Sequence, residues 1–395
     1  MLSDRWSILA LLFAVRTGMG LQYQVVAALS PLFMADFSLS IADIGLLIGL
    51  YHAPGTFLAL PGGAIAARLG DKRVVLLGLA LMIAGELTMA LAPGWALQIG
   101  GRLLAGTGGI LLNVVMSKMV TDWFAGRETA TAMGVIGNAA PVGIGVGLVA
   151  LPLIAGAGGR TWASGAIVAY LIVALSALAC LYRAPPQSAP VPRGQSRWPD
   201  RRAVWAVLAA GLIYGLYNVS LIAVFGFGPL MLTERGWTMA AASSTTSVVL
   251  WLIALSLPAG GFLADRTGRR TTILLGGLIG FAATLVLASR VEAVLPAFVL
   301  LGIVGGLPCG AIMSLPARVL APPTRSVGMG IFFTIYYFMN LSGPWLVGLV
   351  AKSVGSSQVA LDLGAVFLCL GAGVWFVFRQ LSRRVVVEIS AAAVL

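Results

Sequence analysis

Gly63-Ala-Ile-Ala-Ala67-Arg68-Leu-Gly70-Asp71-Lys72-Arg73 and Gly261-Phe-Leu-Ala-Asp265-Arg266-Thr-Gly268-Arg269-Arg270 are two versions of one short basic loop, 198 residues apart in a chain of 395. Each sits between two long apolar runs. The same offset lays Pro31 on Pro229, upstream of the loops, and Arg127 on Arg325, downstream of them. A constant offset of half the chain is the signature of an internal repeat whose halves run in parallel.

The composition around these loops decides the solvent. Apolar residues make up 59% of the chain, charged residues 10%, and the mean hydropathy is +0.99. A soluble domain carries about 25% charged residues, because a water-facing surface must be polar. A soluble enzyme is excluded on this ground, and disorder is excluded because it requires low hydrophobicity. The 50 glycines fit helices that approach closely in lipid.

A spanning helix needs about 20 mostly apolar residues, since lipid offers no partner to a free backbone amide. Twelve such runs are read at 8–33, 43–66, 74–93, 97–121, 129–152, 162–182, 203–232, 239–264, 271–289, 293–317, 326–351 and 358–378. The first is too long for the apolar core of a signal peptide. The stretch 183–202, rich in Pro, Arg and Ser, is the one long polar interruption. The expected organisation is an all-α membrane protein: a six-helix half at 1–182, a cytoplasmic linker at 183–202, a second half at 203–379 and a cytoplasmic tail at 380–395.

The basic residues orient this bundle. With the N-terminus in the cytoplasm, eighteen Lys and Arg fall inside and only Arg160, Arg235, Arg290 and Lys352 fall outside. Positive-inside bias therefore accounts for the net charge of +12 without nucleic acid. Cys180, Cys309 and Cys369 lie in apolar runs with no ligand spacing, and are read as small buried hydrophobes rather than a metal or disulfide set.

The second loop, Gly-x-x-x-Asp-Arg-x-Gly-Arg-Arg, resembles the loop signature of the major facilitator superfamily of secondary transporters, and the resemblance extends over essentially the whole chain. It implies two pseudo-symmetric six-helix halves and a cytoplasmic latch formed by Gly63, Arg68, Gly261, Asp265, Arg266, Gly268 and Arg270. In the first loop Ala67 replaces the acid, so the acidic part of the latch is missing there. Arg102-Leu-Leu-Ala-Gly106-Thr-Gly108 resembles a second signature of the superfamily, which adds Arg102 to the gating set. Asn113-Val-Val-Met-Ser-Lys118-Met-Val-Thr-Asp-Trp123-Phe124, with the deep arginine of helix 1, looks like the cyanate- and nitrate/nitrite-permease branches. The nitrate members clamp their anion with arginines on helices 1 and 7. Tyr214 stands at the helix 7 position here, which argues against nitrate itself.

Charges at membrane depth point to the passenger. Arg16 lies about 13 Å into helix 1 at 1.5 Å per residue, near the middle of a core about 30 Å thick. At 100° per residue Gly20, Tyr23 and Gln24 share its face, whereas Gln22 points away. A planar guanidinium among hydroxyl and amide groups suits an oxyanion or a carboxylate. The 198-residue offset lays Tyr214 on Arg16 and Tyr336 on Asn138. Tyr217 and Asn218 extend the first polar face, and Tyr337 and Asn340 the second. These nine residues, Arg16, Tyr23, Gln24, Asn138, Tyr214, Tyr217, Asn218, Tyr336 and Asn340, form the expected substrate site. His52, the single histidine, and Glu86, the one carboxylate well inside a span, are the candidates for proton coupling. Lys118, near the inner end of helix 4, is either a second anion contact or a snorkelling cation.

No nucleophile, base and oxyanion donor share a helix face, and no Walker loop is present, so neither an enzyme nor ATP coupling is expected. The expectation is a cofactor-free carrier, monomeric in a bacterial inner membrane with both termini cytoplasmic. It takes up a small anion with protons by alternating access. A proton-coupled exporter of drugs or metabolites is the rival reading.

Overall fold

The computed structural model describes residues 4–59, 69–91, 94–124, 132, 135–183, 198–320 and 324–392, the side chains of Thr121, Asp265, Ala317, Arg325, Ser326 and 384–392 excepted. Among these residues there is no strand. The apolar runs are helices because lipid leaves the backbone only its own carbonyls to bond with.

Among the described residues the helices make twelve crossings. Span 1 is Arg5–Ala28, prolonged by Ser30–Phe37; span 2 is Ile41–Leu50 followed by Ala53–Leu58. Spans 3 and 4 are Asp71–Leu91 and Trp95–Trp123. The helix Ala139–Leu181 is broken at Gly158 and Gly159 into spans 5 and 6. Spans 7, 8 and 9 are Arg201–Glu234, Met239–Thr267 and Arg270–Arg290. Span 10 is Val294–Gly305 with Cys309–Met313, span 11 is Arg325–Val354 and span 12 is Gln358–Ala392.

The repeat read from the two loops is present in the backbone itself. Gly70 and Gly268, one offset apart, both adopt the left-handed conformation at φ 84° and 66°. A Cβ is strained there, which is why both loops need glycine. Ser38 at φ 53° and Gly236 at φ 87° end spans 1 and 7 at the same offset. Ser40 and Thr238 then cap spans 2 and 8, accepting from Asp43 N and Ala241 N. One residue-type match more distant still follows the offset: Asp36 pairs with Arg160 beside the span 5–6 turn, and Glu234 accepts from Ser357 N and Oγ beside the span 11–12 turn.

Within the first half, Gly20 of span 1 lies against the Ala140 carbonyl of span 5, and Gly143 lies against the Thr17 carbonyl. These contacts fix two parallel helices at backbone distance, with Arg16 and Asn138 each about one turn to the same side of the crossing. Between the halves, Gly45 meets the Pro344 carbonyl, Gly49 the Leu341 carbonyl and Gly55 the ring of Tyr337, all joining span 2 to span 11. Gln24 of span 1 donates to Phe225 O of span 7 at 2.9 Å. These contacts run from mid-depth to the end of the bundle remote from the linker, called here the far side.

The cysteines divide. Cys309 is buried as expected, but Cys180 and Cys369 are exposed on the outside of the bundle, where lipid solvates a thiol as readily as protein does. Gly63 and Arg68 lie outside the described residues, as does the side chain of Asp265.

The close span 2–span 11 seam generates a test. Gly49→Val sets side-chain atoms where the Leu341 carbonyl stands. It is expected to hold the far side apart, so that a cysteine introduced by Ala42→Cys, buried in the native seam, labels several-fold faster with a membrane-impermeant maleimide.

Candidate functional site

Two spans are interrupted at mid-depth. Span 2 breaks at Tyr51 and His52, and span 10 breaks at Gly306 to Pro308. Prolines follow both breaks, at Pro54 and Pro308, and remove the amide a continuous helix would need. Broken helices at this depth are tolerated where they face protein or a cavity.

Arg16 stands at the centre. Its side chain is half-buried, its Nε is buried without a hydrogen-bond partner, and it makes no ion pair among the described residues. The groups that feel its charge are the hydroxyls of Tyr337, Tyr336 and Tyr214, all on the opposite half. Tyr214 stacks on Phe332 at 5.3 Å and on Tyr336 at 4.9 Å, with interplanar angles of 17° and 24°. Tyr336 meets Tyr337 edge-on at 5.0 Å. Tyr337 Oη accepts from Asn113 Nδ2 of span 4 at 3.1 Å, a second hydrogen bond between the halves. The imidazole of His52 lies 6.1 Å from Tyr337, 6.4 Å from Tyr336 and 5.0 Å from Tyr23. A chain of rings therefore runs from Phe332 to Tyr23 past one unpaired guanidinium.

The expected site residues fall into two groups. Arg16, Tyr23, Tyr214 and Tyr336 converge on this space. Asn340, bonded to Tyr336 and nearly fully buried, keeps its Oδ1 unpartnered beside them. Asn218 is adjacent, but its amide donates to Tyr214 O on its own helix at 2.8 Å. Asn138 stands half-buried at the start of span 5, at Arg16 depth. Gln24 is fully buried in the span 1–span 7 seam, where its amide serves Phe225 O. Tyr217 points elsewhere: its hydroxyl donates to Gly305 O at 2.9 Å, satisfying a carbonyl freed by the break in span 10.

The gating and coupling candidates are spread further. Glu86 is wholly buried behind span 1, accepting from Gln22 Nε2 at 3.2 Å, while Gln22 also donates to Met82 O. Gln22 does point away from the Arg16 face, and Glu86 does not pair with Arg16. Arg102 is fully buried and donates to Leu47 O, Gln22 O and Tyr23 O at 2.9, 3.0 and 2.7 Å. Its guanidinium also lies over Tyr51 at 4.7 Å and Tyr23 at 5.5 Å. It pins span 4 to spans 1 and 2. Gly261, Arg266, Gly268 and Arg270 lie at the linker end of spans 8 and 9, with Arg266 over Phe262. Lys118 is half-exposed and bound by Asp71 at 2.5 Å and Asp122 at 3.1 Å, which turns its charge away from the centre.

Asn113, Phe332 and Tyr337 line the same space; Tyr337 belongs to the second polar set read from the sequence, whereas Asn113 and Phe332 were not among the expected contacts. Phe332 lies one turn before Tyr336, so helical spacing alone would have found it. Asn113 carried the weaker signal of a lone amide inside an apolar span.

Among the described residues, two repeats of helices enclose a cluster of polar and aromatic side chains between the halves, the architecture of an integral membrane transporter. A family model described as the Major Facilitator Superfamily matches residues 8–244 and 208–392. The chain belongs to that superfamily, and is a transporter rather than an enzyme. The 3-(3-hydroxy-phenyl)propionate transporter of Escherichia coli is 26% identical, with 95% of this chain and 94% of that protein covered. The lysosomal dipeptide transporter MFSD1 of Danio rerio is 25% identical over 91% of this chain and 82% of its own. A bacterial homologue of the human lysosomal transporter Spinster, solved inward-facing and occupied, superposes with a TM-score of 0.82 at 16% identity, covering 96% of this chain and 98% of that one.

Arg102 supports a second test. Removing one member of a buried charged network costs about 3–5 kcal/mol, and lysine cannot replace a fork that serves three carbonyls. Arg102→Lys and Arg102→Ala are both expected to lower the melting temperature of the detergent-purified protein by more than 5 °C, measured by intrinsic fluorescence.

Proposed function

We propose that this transporter takes up a small anion, a carboxylate above all, across a bacterial inner membrane together with protons. The distribution of basic residues supports a cytoplasmic linker and cytoplasmic termini. The observation that carries the reading is Arg16: a permanent charge at mid-depth, without a counter-ion, facing tyrosines of the opposite half. A guanidinium kept in hydrocarbon without a carboxylate is costly unless its partner arrives with the cargo. The described residues place no acid in the cleft, since Glu86 lies behind span 1. A cation exporter would need such an acid. The name of the Escherichia coli relative also describes a carboxylate substrate.

In this reading the anion enters between the halves and bonds Arg16 from one side and Tyr214 and Tyr336 from the other. Occupying both surfaces favours the occluded form over either open one, which is what drives alternating access. The cross-half bonds Gln24–Phe225 and Asn113–Tyr337 must break and reform in each cycle. The loops at Gly63–Arg68 and Gly261–Arg270 latch the cytoplasmic side when the site opens outward. The inter-half contacts here hold the far side together, in keeping with the inward-facing state named for the Spinster homologue. His52 and Glu86 are the groups through which a proton is coupled. The carrier acts as a monomer.

Proteoliposomes test this. Labelled benzoate is expected to accumulate under an inward proton gradient, to leak out on addition of a protonophore, and to lose uptake about tenfold to a hundredfold in Arg16→Ala, the loss appropriate to a charged hydrogen-bond pair. Uptake of anions unchanged by Arg16→Ala would contradict the reading. Extrusion of organic cations against a proton gradient would favour the exporter instead.

A further inference from the structure

The site has two ends of different chemistry. At one end is Arg16 with its free Nε. At the other, seven residues and about 10 Å along the same face of span 1, Tyr23 stands 7% exposed with its hydroxyl unpartnered. His52, whose ring is 5.0 Å from Tyr23, has a buried Nδ1 that is also unpartnered. Buried polar atoms are almost always bonded in proteins, so the orphans on these neighbouring rings, with the orphan hydroxyl of Tyr51 beside them, mark a place where a partner can be brought in.

That partner is not a second anion. Among the described residues the cation over the Tyr23 ring is Arg102, and its Nε, Nη1 and Nη2 are already committed to the carbonyls of Leu47, Gln22 and Tyr23. Arg102 is fully buried, which leaves no face for a ligand. A hydroxyl, carbonyl or amide suits Tyr23 Oη and His52 Nδ1, because both can exchange a neutral hydrogen bond without a charge. The space between the ends is walled by Tyr336, which feels Arg16, stacks on Tyr214 and reaches within 6.4 Å of His52. Ring faces favour a flat, polarisable body between them.

We propose that Tyr23 and His52 form a second subsite that reads a neutral hydrogen-bonding group at the far end of an aromatic carboxylate. The cargo is thus a hydroxyaryl or similarly substituted aryl carboxylate, long enough to span from Arg16 to His52. This rests on Arg16 as the anchor of the carboxylate, and it assigns specificity to residues one to two turns away. His52 acts here as a binding group in addition to its part in proton coupling.

The test is binding to the purified full-length protein by isothermal titration calorimetry. The probes are butyrate, 3-phenylpropionate, 3-(4-hydroxyphenyl)propionate and glucuronate, against wild type, Tyr23→Phe, His52→Phe and Arg16→Ala. Tyr23→Phe keeps the ring that lies over Arg102, so the fold is preserved. The hydroxyaryl acid is expected to bind about tenfold more tightly than 3-phenylpropionate, the worth of one good hydrogen bond. Both are expected to surpass butyrate and glucuronate. The tenfold advantage of the hydroxyl vanishes in Tyr23→Phe or His52→Phe, while 3-phenylpropionate binding stays within twofold. Arg16→Ala loses every anion. If all four probes bind in an Arg16-dependent manner without preference for the ring or hydroxyl, or if glucuronate binds best, the second subsite is refuted and the anion reading stands. If no probe binds, or binding ignores Arg16→Ala, the anion reading itself fails and the subsite falls with it.

Discussion

A guanidinium cannot rest in hydrocarbon uncompensated, and this protein contains two that are treated in opposite ways. Arg102 is surrounded by three backbone carbonyls and two ring faces, with Glu86 near enough to feel its charge. It is a closed structural unit. Arg16, by contrast, has tyrosine hydroxyls as its neighbours, an idle Nε and no acid among the described residues. The difference between a satisfied and an unsatisfied buried charge separates scaffold from site.

The scaffold exists to make that exposure possible. Glycines on span 2 bring it to carbonyl contact with span 11, so that the halves meet there along a narrow seam, while those on spans 1 and 5 lock two helices of the first half together. Narrow seams with few hydrogen bonds, such as Gln24 to Phe225 and Asn113 to Tyr337, can part at modest cost. The breaks in spans 2 and 10 then set His52 into the cleft and free the Gly305 carbonyl, which Tyr217 takes up. Packing and interruption together leave two helical halves facing one another around the Arg16 charge.

The architecture was legible in the sequence because its signals are local. Apolar length gave the spans, and the twin loops gave the repeat. Left-handed Gly70 and Gly268 show why those loops keep their glycines. Arg16 was legible for the same reason, since a lone charge in an apolar run has few innocent explanations. The roles of Tyr217 and Gln24 were not. Their spacing puts them near the Arg16 and Tyr214 faces, but what each hydroxyl or amide bonds depends on carbonyls contributed by distant spans. Asn113 and Tyr337, 224 residues apart, meet only because the halves do. Helical periodicity tells which residues share a face; it does not tell which neighbour that face will meet.

The most direct measurement is a crystal structure with bound 4-bromobenzoate, located by the anomalous signal of bromine. The carboxylate is expected within about 3 Å of the Arg16 guanidinium, with the ring lying against Tyr214 and Tyr336. A carboxylate bound elsewhere in the cleft, with Arg16 left without an anionic partner, would contradict the account.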